Sequence, residues 1–205
     1  MIKTCNFFTI ITSDMKWNKN TERIVKNANS KMRMLHIASK FIRNRNDLLH
    51  IYKTFIRSRL KYSCVLWHSS LSKTNENDIE RVQKAALKVI LKKDYGCYEN
   101  ALKLLDIESL FDRRSRLCLK FAKKCLKLEN FKKLFPYNET KHKMKKRIFE
   151  KYLVQNVSTE RHKNSAINAM RKMLNEEELK LQRAMKSFDI VPRELRFLNS
   201  ISVKI

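Results

Sequence analysis

Apolar positions in this chain recur mostly every three or four residues, which is the period of an amphipathic α-helix. From about Asn20 a first helix is predicted, whose buried stripe comprises Ile24, Ala28, Met32, Leu35, Ala38 and Ile42. Charged residues such as Arg23, Lys26 and Arg33 lie off that stripe. The pattern therefore predicts a long first helix with one face against a core.

A second helix is predicted after Asn46, because asparagine is a favourable N-cap residue. Its inward face consists of apolar residues at three- and four-residue spacing: Leu49, Tyr52, Ile56 and Leu60. The apolar run over residues 62–67 is predicted as a buried continuation, and residues 69–77 as a polar loop. Trp17 and Trp67 are both predicted to be core residues rather than base-stacking platforms.

Three further helices are predicted over residues 77–91, over residues 99–105 and from Ser109 to about Leu128. Segment 92–97, which holds the only glycine, is expected to end the first of them. The buried stripe of that helix is Ile79, Val82, Ala86 and Val89, and its outer row is Glu80, Lys84 and Lys88. In the third helix, Ser109 and Asp112 form a capping-box pattern, and the inward positions are Leu110, Leu117, Phe121 and Leu128.

The two ends of the chain depart from this helical period. Residues 1–17 favour a short strand rich in Thr, Ile and Phe, and no second clear strand follows with which it could pair. Beyond Pro136 the sequence is polar and weakly periodic, until a last helix is predicted over residues 163–186. The expected fold is mostly α, with a bundle-like domain over 18–135, an orphan strand before it and a partly irregular basic linker and helix over 136–205.

Composition and charge narrow the classes of function. One glycine and two prolines are too few for the turns of an all-β fold. Lys and Arg number 46 against 20 Asp and Glu, which gives a formal net charge of +26. Such a chain repels itself unless a polyanion screens it, and nucleic acid is the commonest such partner, ahead of an anionic membrane surface. The alternative is a generically basic protein encoded by an A·T-rich genome.

Residues able to carry enzymatic chemistry are scattered. The five cysteines form no CxxC pair, and the five histidines have no zinc-ligand spacing. Cys118 and Cys125 share one helical face and are predicted to be core thiols. No catalytic residue, cofactor, metal or small-molecule substrate is therefore predicted. The odd cysteine count and the lack of a signal peptide or membrane span favour an intracellular protein of the nucleus or cytoplasm.

The predicted helix from Ser109 carries a row of cations at three- and four-residue spacing: Arg113, Arg116, Lys120, Lys123 and Lys127. Such a ridge can follow a phosphate backbone, although a solvated face of a basic protein has the same pattern. A second candidate patch consists of Lys141, Lys143, Lys145, Lys146 and Arg147. Exposed aromatic platforms are not evident, so contact with the nucleic-acid backbone is expected.

Residues 59–91 resemble the segment that follows the palm in reverse transcriptases of non-LTR retrotransposons, the jockey-like and LINE-type elements. The resemblance rests on a Tyr-x4-Trp helix end, a polar loop and an (I/L)-E-x-(V/L)-Q-x-x-A helix, at Tyr62, Trp67, Ile79, Glu80, Val82, Gln83, Ala86 and Ile90. Residues 13–32, 47–63 and 97–127 resemble the flanking segments of that family. The family's Leu-Gly pair before Ser13 is replaced by Phe7-Phe8 in this chain.

This resemblance implies a thumb-like region of an RNA-directed DNA polymerase that grips a primer–template or RNA–DNA hybrid by its backbone. The family's catalytic Tyr-x-Asp-Asp turn has no counterpart, since the chain contains no Asp-Asp pair. The chain is therefore expected to be non-catalytic, with nucleic acid and a separate palm domain as partners. The alternatives are the C-terminal part of an intact polymerase, a helical protein-interaction module that uses Glu176–Glu178, and a pseudogene product.

Overall fold

The computed structural model of the chain describes residues 2–5, 9–14, 16–138 and 150–189. Helices dominate these residues, which confirms the prediction of a mostly α, bundle-like fold. The α-helices are α1 (Asn18–Phe41), α2 (Arg45–Ile51), α3 (Arg57–Leu60), α4 (Cys64–Trp67), α5 (Lys73–Leu91), α6 (Tyr98–Leu104), α7 (Leu110–Leu126), α8 (Glu129–Lys132), α9 (Glu160–Lys163) and α10 (Ala166–Asp189). A π-helical turn, Tyr52–Ile56, joins α2 to α3, and 3-10 turns cover His68–Ser70 and Lys92–Asp94. No helix among the described residues is long and apolar enough to cross a membrane.

The N-terminal segment forms a hairpin rather than an orphan strand. Strand β1 (Ile2–Cys5) pairs antiparallel with β2 (Thr9–Thr12), so that Ile2 lies opposite Thr12. The backbone N–H of Ile10 donates to the Asn20 side-chain oxygen at 3.1 Å, which ties the hairpin to α1. The prediction of one unpaired strand over residues 1–17 is wrong, because this segment contains both β1 and β2, which pair with each other.

Helices α1 and α2 follow their predicted apolar faces. Ile24, Ala28, Met32 and Leu35 are buried on α1, and Leu49, Tyr52, Ile56 and Leu60 are buried along α2, the π-helical turn and α3. The N-cap of α2 is Asn44 rather than Asn46, since the Asn44 side chain accepts a hydrogen bond from the Asn46 N–H at 3.0 Å. Side-chain geometry therefore selects one of two nearby asparagines that are equally suitable by type.

The predicted buried continuation over residues 62–67 is only partly correct. The chain turns sharply at Ser63, whose φ of 50° lies in the left-handed region that β-carbon sterics disfavour. Trp67 is fully buried in α4, but Tyr62 and Leu66 remain 39% and 50% exposed. The turn therefore directs one aromatic side chain inward and the other outward.

Helix α5 begins four residues earlier than predicted. The hydroxyl oxygen of Ser72 caps it by accepting a hydrogen bond from the Asn75 N–H at 3.2 Å. Asp78 therefore lies in the second turn rather than at the helix start. The helix ends at Leu91, where Lys92 adopts a φ of 51°, so segment 92–97 ends α5 as predicted, although Gly96 itself has no positive φ.

Two hydrophobic cores share helix α7. The larger core lies among α1 to α6 and the first turn of α7, and includes Leu35, Trp67 and Leu110. The smaller core joins Ala122 and Cys125 of α7 to Phe135, Tyr152, Met170 and Leu174. Helix α10 therefore packs on α7, and this core crosses the expected boundary at residue 136.

The apolar face predicted for α7 is rotated in the structure. Leu110 is buried as expected, but Leu117 is only partly buried, and Phe121 and Leu128 are 42% and 45% exposed. The buried face instead comprises Leu110, Arg114, Cys118, Ala122 and Cys125. Small side chains at Ala122 and Cys125 allow α10 to approach closely. The prediction for Cys118 and Cys125 as core thiols is confirmed, as is that for Trp17 and Trp67.

A polar network centred on Gln83 joins four helical segments inside the larger core. The hydroxyl of Tyr52 donates to Gln83 Oε1 at 2.5 Å, and Gln83 Nε2 donates to the Tyr98 hydroxyl and to the Glu108 carbonyl oxygen, each at 3.0 Å. One turn earlier, Glu80 Oε1 accepts hydrogen bonds from the Tyr98 hydroxyl and from the Leu110 N–H at the start of α7. Glu80 was predicted to face outward, but its carboxylate turns inward to satisfy these donors.

A second polar group, Arg114 with His68, lies between α4 and α7. Arg114 is fully buried, with its guanidinium carbon 5.8 Å from the centroid of the Trp67 ring. The Nε–H of Arg114 donates to Nδ1 of His68 at 3.4 Å, so this ring nitrogen carries no proton. The other ring nitrogen of His68, Nε2, therefore carries the proton and donates it to the Ser115 hydroxyl at 2.9 Å. Burial, and then the positive charge of Arg114, lower the pKa of His68 to about 4.

We expect Gln83→Met to lower the free energy of unfolding by about 2–3 kcal/mol, because it leaves buried hydrogen-bonding groups of Tyr52, Tyr98 and Glu108 without this partner. Urea denaturation followed by circular dichroism measures the change. The matched control is Arg81→Met on the exposed face of α5, which should change the value by less than about 0.5 kcal/mol. A loss no larger than that of the control would show that the network does not stabilise the fold.

Acid is expected to destabilise the protein through His68. In the unfolded chain a histidine titrates near pH 6.5, so the unfolded state binds more protons than the folded state between pH 6.5 and about 4. The contribution of neutral, buried His68 to the free energy of unfolding is fully present above pH 6.5. It is lost as the pH falls from 6.5 to about 4, which lowers the free energy of unfolding by roughly 3 kcal/mol. His68→Asn, which keeps an acceptor toward Arg114, should flatten this pH dependence in urea denaturation. Substitution of the exposed His50 by Asn should leave the pH dependence unchanged. If the free energy of unfolding varied with pH equally in the two variants, His68 would not be the residue responsible.

Candidate nucleic-acid interface

Helix α7 presents its cations from a well-defined start. The Ser109 hydroxyl oxygen accepts a hydrogen bond from the Asp112 N–H at 3.0 Å, which confirms Ser109 as the N-cap, and the Asp112 carboxylate accepts from the Ser109 hydroxyl at 2.6 Å. Glu80 accepts from the Leu110 N–H at 3.1 Å, so a residue of α5 also caps the helix. With Arg114 held inside, the remaining basic residues of α7 occupy its flanks and outer face.

The five cations predicted as one ridge differ in their surroundings. Arg113 and Arg116 donate to the Glu108 carboxylate at 2.9 and 2.5 Å, and Lys123 pairs with Glu177 of α10 at 2.6 Å. Lys120 and Lys127 are exposed, and no carboxylate of the described residues forms an ion pair with either. The ridge is therefore neutralised in part by the protein itself.

A second row of cations, which was not predicted, lies across from α7. Lys53, Arg57 and Lys61 follow one another at four-residue spacing from the π-helical turn to the residue after α3. Lys53 and Arg57 line a depression of about 490 Å³ together with Glu108, Arg113 and Arg116. The four-residue spacing was the available signal, but only the tertiary structure shows that residues of both rows line the same depressions.

Lys61 belongs to a larger cleft of about 850 Å³, which we call the lysine cleft. The basic residues that line it and have no ion pair among the described residues are Lys61, Lys120, Lys124 and Lys127. Its apolar lining is Tyr62, Val65, Leu117 and Phe121. Lys123 also lines the cleft, and its pairing with Glu177 places a carboxylate beside the cationic wall.

The cations around the two depressions are close enough to affect one another. Burial, followed by the charges of Arg113 and Arg57, lowers the pKa of Lys61 below its usual value. Burial and the neighbouring Arg113 likewise lower the pKa of Arg57. For Glu108, burial alone would raise the pKa, but hydrogen bonds from Arg116 and Arg113 outweigh it and lower the value. This crowding of like charge favours the binding of an anion.

The aromatic lining of the lysine cleft contradicts the expectation that no aromatic platform is exposed. Tyr62 is 39% exposed and Phe121 is 42% exposed. Phe121 was predicted to lie in the core, and Tyr62 to continue a buried run. Both lie outside the core because the turn at Ser63 and the rotation of α7 place them at the cleft.

Other predicted sites have different outcomes. The basic patch of Lys141, Lys143, Lys145, Lys146 and Arg147 lies outside the described residues. In the part of the chain that the structure describes, no group of three or more His, Cys, Asp or Glu residues could hold a metal ion. The four cysteines whose side chains are described, Cys64, Cys97, Cys118 and Cys125, are free thiols.

The resemblance to reverse transcriptases rests on the motifs of residues 59–91 and their flanks, and the case for a binding site rests on the geometry around α7. No family model, curated protein or solved structure matches the chain.

Proposed function

We propose that this chain binds nucleic acid without sequence preference, through phosphate contacts made by the lysine cleft. The observation that carries the proposal is the convergence on one cleft of Lys61, at the end of α3, with Lys120, Lys124 and Lys127, in and at the end of α7. None of these four forms an ion pair with a carboxylate among the described residues. Flexible ammonium groups along a cleft suit a repeating phosphate backbone, and each contact releases condensed counterions. The net charge of +26 adds long-range attraction.

The resemblance to non-LTR reverse transcriptases supports the same proposal. The segment that carries the resemblance supplies Tyr62 to the cleft and Glu80 and Gln83 to the network that holds α7. We propose that the chain corresponds to the thumb and downstream region of an RNA-directed DNA polymerase, whose palm would be a separate partner. In that setting the cleft would hold the primer–template by its backbone.

The alternative of a helical protein-interaction module has less support from the geometry. It relies on the acidic residues Glu176–Glu178 as a free surface for helix pairing. Glu177 pairs with Lys123 at 2.6 Å, and Glu178 pairs with Lys151 at 3.4 Å. Two of the three carboxylates are therefore engaged within the chain.

The proposal predicts that replacing Lys61, Lys120, Lys124 and Lys127 by Gln weakens binding to a labelled RNA–DNA hybrid and flattens its salt dependence. For every lysine that binds a phosphate, its replacement should reduce the slope of log affinity against log salt concentration by about 1. Fluorescence anisotropy across a salt series measures both quantities. An unchanged slope would contradict the proposal.

A control with the same change in charge separates this cleft from general electrostatics. Lys31, Lys40, Lys93 and Lys103 are exposed and lie outside the two depressions. Their combined replacement by Gln should lower the affinity only modestly and should leave the slope of log affinity against log salt concentration nearly unchanged. Equal losses in the two quadruple variants would mean that net charge, rather than the cleft, determines binding.

Glu177→Gln should strengthen binding by about two- to fivefold at low salt, because it releases Lys123 and removes a carboxylate from the wall of the cleft. The effect should shrink as salt screens the charges. Glu176→Gln is the matched control, since it makes the same change in net charge at an exposed neighbouring residue of the same helix. Equal affinities of the two variants would refute the role of the Lys123–Glu177 pair.

A further inference from the structure

The lysine cleft combines two kinds of surface that phosphate binding alone does not require. Its walls carry the lysines, whereas Tyr62, Val65, Leu117 and Phe121 give it an apolar lining. A double helix presents phosphates on its outside and keeps its bases stacked against one another. An apolar lining between cations instead matches a ligand in which apolar rings and phosphates alternate and are both accessible.

The two aromatic rings are positioned by the fold to remain accessible. The Tyr62 carbonyl oxygen accepts a hydrogen bond from the Trp67 indole N–H at 3.1 Å, and the left-handed turn at Ser63 follows directly. Phe121 lies one helical turn beyond Leu117 on α7, beside the buried Ala122. Both rings therefore belong to rigid segments, and covering them with an apolar ligand removes exposed hydrophobic surface from water.

The size of the cleft is compatible with unstacked bases. Its volume of about 850 Å³ lies in the range of roughly 300–1,000 Å³ that encloses small organic groups. Unstacked bases can enter such a space and reach its apolar lining. Aromatic side chains beside a cationic groove are the arrangement by which proteins hold unpaired strands without reading their sequence.

We propose that the lysine cleft holds a single-stranded segment of nucleic acid, with bases stacked on Tyr62 and Phe121 and phosphates held by the surrounding lysines. This inference rests on the proposed function, because the lysines must bind phosphate for the bases to reach the rings. It adds a preference for unpaired over paired strands, which phosphate binding alone does not give.

The test compares three labelled probes with the full chain by fluorescence anisotropy at physiological salt. They are an oligothymidylate of about twelve nucleotides, an abasic sugar–phosphate oligomer of the same length and charge, and a blunt duplex of that length. We expect the oligothymidylate to bind at least about tenfold more tightly than the abasic oligomer and more tightly than the duplex.

Variants of the two rings assign this preference to the cleft. Tyr62→Leu with Phe121→Leu keeps apolar bulk but removes both rings, and should cost about tenfold per ring on oligothymidylate while leaving the abasic oligomer unchanged. Tyr62→Phe with Phe121→Tyr keeps both rings and should retain the affinity. Phe131→Ala removes an exposed ring of α8 that does not line the cleft, and should also retain it. Thermal unfolding confirms that each variant is folded.

The outcomes separate this inference from the proposed function. Equal binding of the oligothymidylate and the abasic oligomer, or tighter binding of the duplex, would overturn the inference and leave phosphate binding intact. Loss of affinity for all three probes in the leucine variant would also overturn it. Absence of salt-dependent binding to any probe, or binding only to anionic phosphatidylserine vesicles, would overturn both.

Discussion

The structure depends on the buried hydrogen-bond network of Glu80 and Gln83. Gln83 is fully buried, and both hydrogens of its amide and its oxygen have partners on other segments. A buried polar group is costly unless it is satisfied, so the network allows essentially one arrangement of α5, α6 and the segment before α7. The hydrogen bond from the Leu110 N–H to Glu80 then fixes where α7 begins. The α7 side of the lysine cleft depends on that starting point.

Arg114 lies on the inward face of α7, which is rotated relative to the apolar stripe. An apolar stripe alone would turn Leu117, Phe121 and Leu128 inward, but the guanidinium lies against the Trp67 ring and His68. Ala122 and Cys125 are consequently the residues that meet α10. Phe121, displaced from the core by this rotation, becomes part of the lining of the lysine cleft. A buried cation therefore supports both the second core and the accessible aromatic surface.

The charges around α7 are neutralised only in part by ion pairs among the described residues. Glu108 and Glu177 offset three of the cations first expected to form a ridge, which lowers the self-repulsion of the folded chain. The four remaining lysines of the cleft have no such partner among the described residues, and Lys61 is also affected by Arg57 and Arg113. A polyanion that binds there would relieve this repulsion while contributing its own contacts. If the proposed binding occurs, a polyanion at the lysine cleft would therefore also stabilise the folded chain.

The sequence by itself determined the mostly helical fold, the inner faces of α1 and α2, the N-cap at Ser109 and the excess of positive charge. These properties are local, because helical period, capping chemistry and composition act over a few residues. Only the tertiary structure decided that Glu80 faces inward, that Arg114 is buried, that Tyr62 and Phe121 are accessible and that Lys61 faces α7. The physical reason is that burial of a polar group depends on partners distant in sequence. The helical period of a sequence predicts which face of a helix is apolar, but not which other element packs against that face.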